Sequence, residues 1–556
     1  LAALVPALGY FLLFFIYLCA MIGNFNWGSV PTYDVAFKFL GDIGHLSHDL
    51  GISVWIPLSA MFFPFAGLVA FFQWKAQGFR DGIETLDGGF RSLGPPRQKA
   101  LLFACAGVWS ILAAGIFFLN ADPNIFGHFK YDPVVGFFQK ARPLFAVNDE
   151  RLRWAGKDKL AAESLHHPPP RVKNVILFVV DALRADHLAC YGYSRPVSPY
   201  ISELSGLPSS RKIEWALSNG SESVAGQMAM ISSKEPRDIS DMDYTLPDFF
   251  HDNGFKSIIF YSGDSQWCNF NHSFGEKIDL FADGVSHPGP GGINDDRMLL
   301  DLVDGLKPDD GKPHFICLHL LSTHEGGFLQ DSYLLYRPFL NFVTLPFLRP
   351  GQGEWAEKTQ EAVNMYDDRI LQADTIIGQI MGKLREKGYL NNYVAVITAD
   401  HGQALGEGDW FGHTRFVSAP ILHIPLLFFG SKPLPRFPDT RFATTLDIAP
   451  TLADLAGLEA PYSWQGQSLL RKRTNYWTYH LTPSPREGNE GAVVFYDKGE
   501  ILKYSCPLEE DGDFPGSEAV FDLAKDPKEK NNLINTIARA LLGQMRHRAR
   551  EHFSVY

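Results

Sequence analysis

Beyond residue 173 the sequence predicts an open, doubly wound α/β sheet. Short, uninterrupted apolar runs recur at 174–180 (NVILFVV), 257–261, 315–320, 394–398 and 425–429. A strand covered on both faces reads as such a run, whereas a half-exposed strand alternates. Helical patterns lie between the runs. The clearest spans 356–384, where Val363, Tyr366, Ile370, Ile377, Met381 and Leu384 form one stripe. Strands alternating with helices build parallel sheets. Polar clusters also follow three of the runs directly, at the strand ends where such sheets bind ligands.

The upstream segments are of another kind. Residues 3–22, 51–73 and 100–119 are apolar and carry no charge, and about 20 such residues span a bilayer. The first lacks the basic start and small-residue cleavage site of a signal peptide, so it reads as an anchor. The loop after the second carries Lys75, Arg80, Arg91, Arg97 and Lys99, against Lys38 alone in the preceding loop. The positive-inside rule therefore places 74–99 in the cytoplasm and everything after Asn120 outside it, which in a Gram-negative cell is the periplasm. Residues 120–171 read as a connector that closes on the stiff stretch His166-His167-Pro168-Pro169-Pro170.

Composition bounds the partners. Hydrophobic residues at 46% and charged residues at 20% are the balance of a folded chain. A net charge of −12 and the lack of any basic tract argue against nucleic acid. Six cysteines (Cys19, Cys105, Cys190, Cys268, Cys317, Cys506) form no C-x-x-C pair, so neither a zinc knuckle nor a disulfide scaffold is expected, though one disulfide stays open.

The chemistry-bearing residues come in sequence order. Asp181 follows the first run, His324 lies in LHLLSTHEGG, and Asp400-His401 opens VITADHGQALGEGDWFGHT, with His413 further on. Taken singly, an Asp at a strand end is often a helix cap. Together, two carboxylates and an imidazole suit one divalent cation, with Mn, Zn, Mg and Ca all compatible and the imidazole favouring a transition metal. The segment 217–233, LSNGSESVAGQMAMISS, passes from small residues into a helix-compatible run. A hydroxyl at that helix start, Ser221 or Ser223, would sit in a field that favours a bound anion.

At these residues the chain resembles the sulfatase and alkaline phosphatase superfamily. VILFVVDALRADHLACYGYSRPVSPYISELS resembles the family's opening strand and loop, and TLPDFFHDNGF its next helix. VAVITADHGQALGEGDWFGHT with HIPLLFF resembles its second metal motif. TTLDIAPTLADLAGL, QGQSLL and FDLAKDPKEKNNL resemble its closing segments. The resemblance implies an alkaline-phosphatase-like domain over 172–470 and a small C-terminal sheet subdomain over 471–556. It implies that Asp181, Asp400, His401 and Ser223 hold one divalent metal ion, that Ser223 is the nucleophile, and that His324 and His413 contact the transferred or leaving group. In sulfatases the nucleophile stands in C/S-x-P-x-R and becomes formylglycine. Here the stretch is Ser223-Val224-Ala225-Gly226-Gln227, without that Pro or Arg, and Ala182 replaces a second Asp. Both departures resemble lipoteichoic acid synthases and phosphoethanolamine transferases, although those usually place Thr at the nucleophile and Glu at the first metal position. The expectation is a membrane-anchored, metal-dependent hydrolase or transferase of phosphate-type esters, acting on a membrane lipid or lipid-linked envelope substrate. A sulfuric ester hydrolase is the alternative, and a catalytically silent lipid-binding regulator a third.

Residues 328–350, FLQDSYLLYRPFLNFVTLPFLRP, form an aromatic insert after His324. Either its aromatics pack into the core, or the insert is a lid facing the bilayer, where aromatic rings sit well.

Overall fold

β1 (Asn174–Val180) is buried along its whole length, as a continuous apolar run demands. The structure is a computed structural model that describes residues 156–553, except 159, 163–164, 167, 241–242, 266–273, 340–354, 415, 483–488 and 509–517. The three apolar N-terminal runs, and with them the expected spans, lie outside the described residues. No described helix is long and apolar enough to cross a membrane.

β1 lies at the centre of a seven-stranded sheet. Its parallel neighbours are β6 (His314–Leu320) and β7 (Tyr393–Thr398). With β2 (Arg211–Lys212), β4 (Lys256–Tyr261), β5 (Leu280–Asp283) and β11 (Leu426–Gly430), the order is β2-β11-β7-β1-β6-β4-β5. The five runs read from sequence are five of these strands, but the sheet is mixed rather than wholly parallel. β11 pairs antiparallel with β7, Leu426 opposite Thr398. The reason lies in the connection. The chain leaves β7 at its carboxyl end, makes the small hairpin β8 (Ala404–Leu405) and β9 (Phe411–Gly412), and returns from that same end. No crossover intervenes, so an antiparallel strand results. Beside this sheet, β3 (Trp215–Leu217), β10 (His423–Ile424) and β12 (Phe442–Thr444) form a second small sheet.

The helices form two groups. α1 (Pro199–Ser205) and α4 (Arg297–Gly305) pack on the long α5 (Trp355–Glu386), while α3 (Leu246–Asp252) and α6 (Ile448–Ala456) pack on α2 (Ser223–Ser232). Of the stripe predicted on α5, Tyr366, Ile370, Ile377, Met381 and Leu384 are buried and Val363 is half-buried. α5 also buries Asp367, Arg369, Gln372 and Asp374. Each has partners, as where Asp374 accepts from Tyr200 N and Ile201 N to cap α1.

The C-terminal part is an antiparallel sheet of β13 (Tyr476–Leu481), β14 (Asn489–Asp497), β15 (Glu500–Leu508) and β16 (Ala519–Asp522). α7 (Arg539–Phe553) covers it, with Met545, Ala549 and Phe553 in one cluster with Val493, Tyr504 and Val520. Upstream, the connector takes part in the domain. Asp158 is buried and accepts from Lys234 Nζ, which also donates to Asp243 Oδ1 at 2.7 Å. Tyr244 N donates to the same Asp158 carboxylate at 3.0 Å.

The described part of the aromatic insert packs inward. Phe328 is buried, and Tyr333, Tyr336 and Phe339 lie against the main core. The Arg195 guanidinium stacks over the Tyr336 ring at 4.4 Å. Phe342 and Phe347 lie outside the described residues. Cys190, Cys317 and Cys506 are free thiols.

Candidate active site

The loops leaving β1, β6 and β7 meet at one end of the sheet. Val179 stands in register with both His319 and Thr398, so Asp181, the 321–324 turn and Asp400 emerge at one level. This is the end at which sheets of this class bind ligands.

Asp181 is followed by Ala182 at φ 62, an uncommon left-handed conformation for a residue with a Cβ. The turn is held because Ala182 N donates to Asp400 Oδ1 at 3.2 Å and Tyr366 Oη donates to the Ala182 carbonyl at 2.6 Å. Asp400 Oδ1 also accepts from His401 N at 2.9 Å. That carboxylate thus ties the β1 and β7 loops together with one oxygen and leaves the other for the site.

α2 delivers the hydroxyl. Glu222 caps the helix, its carboxylate accepting from Val224 N at 3.1 Å and Ala225 N at 2.8 Å. The helix sits directly on Asp400 because residue 226 is glycine: a Cβ there would lie 2.2 Å from the Asp400 carbonyl oxygen. Ser223 Oγ donates to Asp181 Oδ2 at 3.2 Å and lies 3.1 Å from His401 Nε2. Ser221, the other candidate, is fully buried, and its hydroxyl has no hydrogen-bond partner.

Asp181, Asp400 and His401 are all buried, and their ligand atoms lie within 4.8 Å of one another. His401 Nδ1 lies 2.8 Å from the Gly402 carbonyl oxygen, which only accepts. Nδ1 therefore carries a proton, and in the neutral ring Nε2 presents a lone pair. Nε2 stands 3.5 Å from Asp181 Oδ1 and 3.8 Å from Asp400 Oδ2. Both of those carboxylate oxygens are buried without a hydrogen-bond partner. Two orphaned anionic oxygens facing an imidazole lone pair and a hydroxyl are costly alone and well compensated by a cation, so the donor set fits a divalent metal ion. The electrostatics agree. Burial, with repulsion from Asp400, raises the Asp181 carboxyl well above its usual range. Burial also opposes the charged form of Asp400, but His401 and His319 outweigh it and hold that carboxyl down. Burial opposes a charged His401, yet Asp400 and Asp181 raise its pKa, the mark of a pocket that attracts positive charge.

His324 and His413 lie beside this cluster. His413 stacks on His401 with ring centroids 4.2 Å apart, and His324 is 5.4 Å from His413. Gly326 N donates to His324 Nδ1 at 3.1 Å, so the neutral ring carries its proton on Nε2. His413 Nδ1 lies 2.9 Å from Gln403 Oε1, which accepts, so its Nε2 carries the lone pair. Burial and the neighbouring His401 push His324 down to about 3 and His413 well below its usual value, so both are neutral at pH 7. One ring offers a donor and the other an acceptor.

The structure therefore brings together all six residues singled out from the sequence: Asp181, Ser223, His324, Asp400, His401 and His413. Others escaped sequence reading. His319 is fully buried on β6, with Nε2 3.9 Å from Asp400 Oδ2, inside a run that reads simply as strand. Burial raises Glu325 to about 7. Arg369 is buried on α5 and donates to the Ser322, His324 and Gly327 carbonyls, fixing the turn that carries His324. Arg184 pairs with Asp186 and Glu407 at 2.8 Å each and donates to the Gln403 carbonyl, fixing the 400–413 loop. A further group, Asp309, Asp310 and His314, lies at the opposite end of β6. Its carboxylates are engaged by Lys173 and Lys256.

The profile of the family described as Sulfatase matches residues 173–458, just over half of the chain. An arylsulfatase of Clostridium perfringens is 28% identical over 269 residues, covering 43% of this chain and 53% of the relative, so the chain spans about half the length of that protein. A solved structure of a protein with its substrate D-glucosamine-2-N,6-O-disulfate superposes with a TM-score of 0.55 at 15% identity, covering 68% of this chain and 97% of that one. A protein of the alkaline phosphatase superfamily from Vibrio parahaemolyticus gives a TM-score of 0.49 at 15% identity, with coverage of 73% and 97%.

Proposed function

The chain belongs to the sulfatase family, and on that premise we propose that it is a metal-dependent hydrolase or transferase of phosphate-type esters, with Ser223 as an unmodified nucleophile. The observation that carries this reading is the position of Ser223 Oγ, 3.2 Å from Asp181 Oδ2 and 3.1 Å from His401 Nε2, at the start of a helix without the Pro and Arg that accompany formylglycine in sulfatases.

Asp181, Asp400, His401 and Ser223 would hold the metal ion. Such an ion supplies Lewis-acid stabilisation of charge on the transferred group and lowers the pKa of a ligating hydroxyl. The residues of the chain do the rest. Asp181 Oδ2 receives the Ser223 proton and frees Oγ for in-line attack. As the bond to the leaving alcohol breaks, the His324 Nε2–H hydrogen-bonds to that oxygen and stabilises its charge, and the alcohol leaves with a proton from solvent. The product is a Ser223 ester. His413 Nε2 then takes the proton of an acceptor alcohol or of water as it attacks this ester and releases it to solvent, and Ser223 regains its hydrogen from Asp181.

The substrate class we assign is a membrane lipid or lipid-linked envelope molecule, processed on the periplasmic face of the inner membrane. The support is the three uncharged apolar runs upstream of residue 120. An enzyme and a substrate held in one membrane meet at raised effective concentration.

The test is direct. Ser223→Ala abolishes turnover with the melting temperature preserved, and Ser221→Ala stays active. Peptide mass across 217–233 returns plain serine. Formylglycine at Ser223 would instead establish the second reading, a sulfuric ester hydrolase, which the arylsulfatase relative favours. Metal-loaded protein that turns over neither ester type would point to a silent regulator.

A further inference from the structure

The start of a helix normally receives the oxygens of a bound anion, because free N–H groups and the helix dipole converge there. At α2 two of those donors are taken. The Glu222 carboxylate accepts from both Val224 N and Ala225 N, and it stands one residue from the nucleophile. Among the described residues, two arginines beside the site are committed too. Arg184 is bound to two carboxylates and Arg369 to three carbonyls. A divalent cation held by Asp181 and Asp400 is balanced by them. The described surroundings of Ser223 therefore add a carboxyl where an anion site would add donors, and neither arginine is left to meet a second negative charge on the transferred group.

We infer that Glu222 is a specificity-determining residue that restricts the site to esters whose transferred group carries a single negative charge. Phosphate diesters and sulfate monoesters qualify, and dianionic phosphate monoesters are rejected. The inference rests on the ester chemistry proposed above but not on the choice between phosphate and sulfate, since both favoured classes are monoanions.

The experiment compares two non-reactive probes by calorimetric titration of the metal-loaded full chain at pH 8.5: phenylphosphonate, a dianion, and its monomethyl ester, a monoanion. Wild-type protein binds the monoester more tightly. Glu222→Gln keeps the shape of the cap and one acceptor while removing the charge, and should shift the affinity ratio toward the dianion by about tenfold. Glu222→Ala, which also releases both N–H groups, should shift it further. A parallel comparison of 4-nitrophenyl phosphate with bis(4-nitrophenyl) phosphate should move the kcat/KM ratio in the same direction. Wild-type preference for the dianion, or an unchanged ratio in the folded Gln variant, overturns the inference and leaves Glu222 as a helix cap. If neither probe binds, the anion-binding reading of the whole site falls, and this role for Glu222 falls with it.

Discussion

Gly226 sets how closely α2, which carries Ser223, approaches the Asp400 turn, and Gly226→Ala measures it. The added Cβ would stand 2.2 Å from the Asp400 carbonyl oxygen and 2.9 Å from its carbon, against an ordinary contact distance of 3.4 Å or more. Both atoms are backbone, so no side chain can swing aside. The helix or the Asp400 turn must move by roughly 1 Å, because the interior is close-packed. Ser223 stands three residues away on the same helix, and a misplacement of about 1 Å typically costs on the order of 100-fold in rate. Overpacking should cost about 1–3 kcal/mol of stability as well. Gly382 on α5 is the control, since a Cβ there meets nothing within 4 Å. Gly382→Ala should leave turnover intact and stabilise the helix by up to about 1 kcal/mol. The assay is kcat on bis(4-nitrophenyl) phosphate and on 4-nitrophenyl sulfate, alongside thermal melts. Wild-type kcat in Gly226→Ala would refute the close-approach argument, and equal loss in both variants would show that the effect is not local.

Asp400→Ala should lose the bound metal ion on elemental analysis, and a chelator should lower the wild-type melting temperature but not that of the variant. Full metal content in an Asp181→Ala/Asp400→Ala double variant would remove the site. Burial raises Glu235 from 4.5 to about 8, and its carboxyl lies 3.2 Å from His552 Nδ1 on α7. The folded chain holds this proton more tightly than the unfolded one, so the stabilisation is complete below about pH 4.5 and is lost as pH rises through 8. Glu235→Gln should therefore melt at least about 2 °C above wild type at pH 9, with the gap closing toward pH 5; a gap that is constant with pH would refute the shift. Phe339 lies against the main core, so Phe339→Ser should slow turnover of a lipid diester in vesicles and of bis(4-nitrophenyl) phosphate alike, and loss on the lipid alone would make that aromatic part of a lipid-facing lid.

The central strands were legible because burial on both faces writes them as unbroken apolar runs. For the same reason the direction of β11 was not legible: a buried strand reads alike in either orientation, and only the short return through 401–425 decides it. The six site residues stood out because each follows a strand or opens a helix. Glu222 and His319 did not. A glutamate between two serines reads as surface, and its capping role depends on where α2 begins. A histidine within HFICLHL reads as one polar residue in a strand, and its place beneath Asp400 follows from the pairing of three strands far apart in sequence. Arg369 and Arg184 were hidden likewise, since a long charged side chain on a helix or loop is ordinarily solvated.

The ion triad of Lys234, Asp158 and Asp243 defines where an excised fragment of the sheet domain has to start. The family match opens at residue 173, and a fragment cut there would contain all six candidate site residues. It would also lack Asp158, one of the carboxylates that meet the Lys234 ammonium in a position with no exposure to water. Lys234 lies two residues past the end of α2. Removing one partner of a buried ion pair destabilises by about 3–5 kcal/mol, a large share of what holds a domain folded. A fragment that begins before residue 156 keeps the triad, whereas one trimmed to the homology boundary would start from a weakened anchor at the far end of α2.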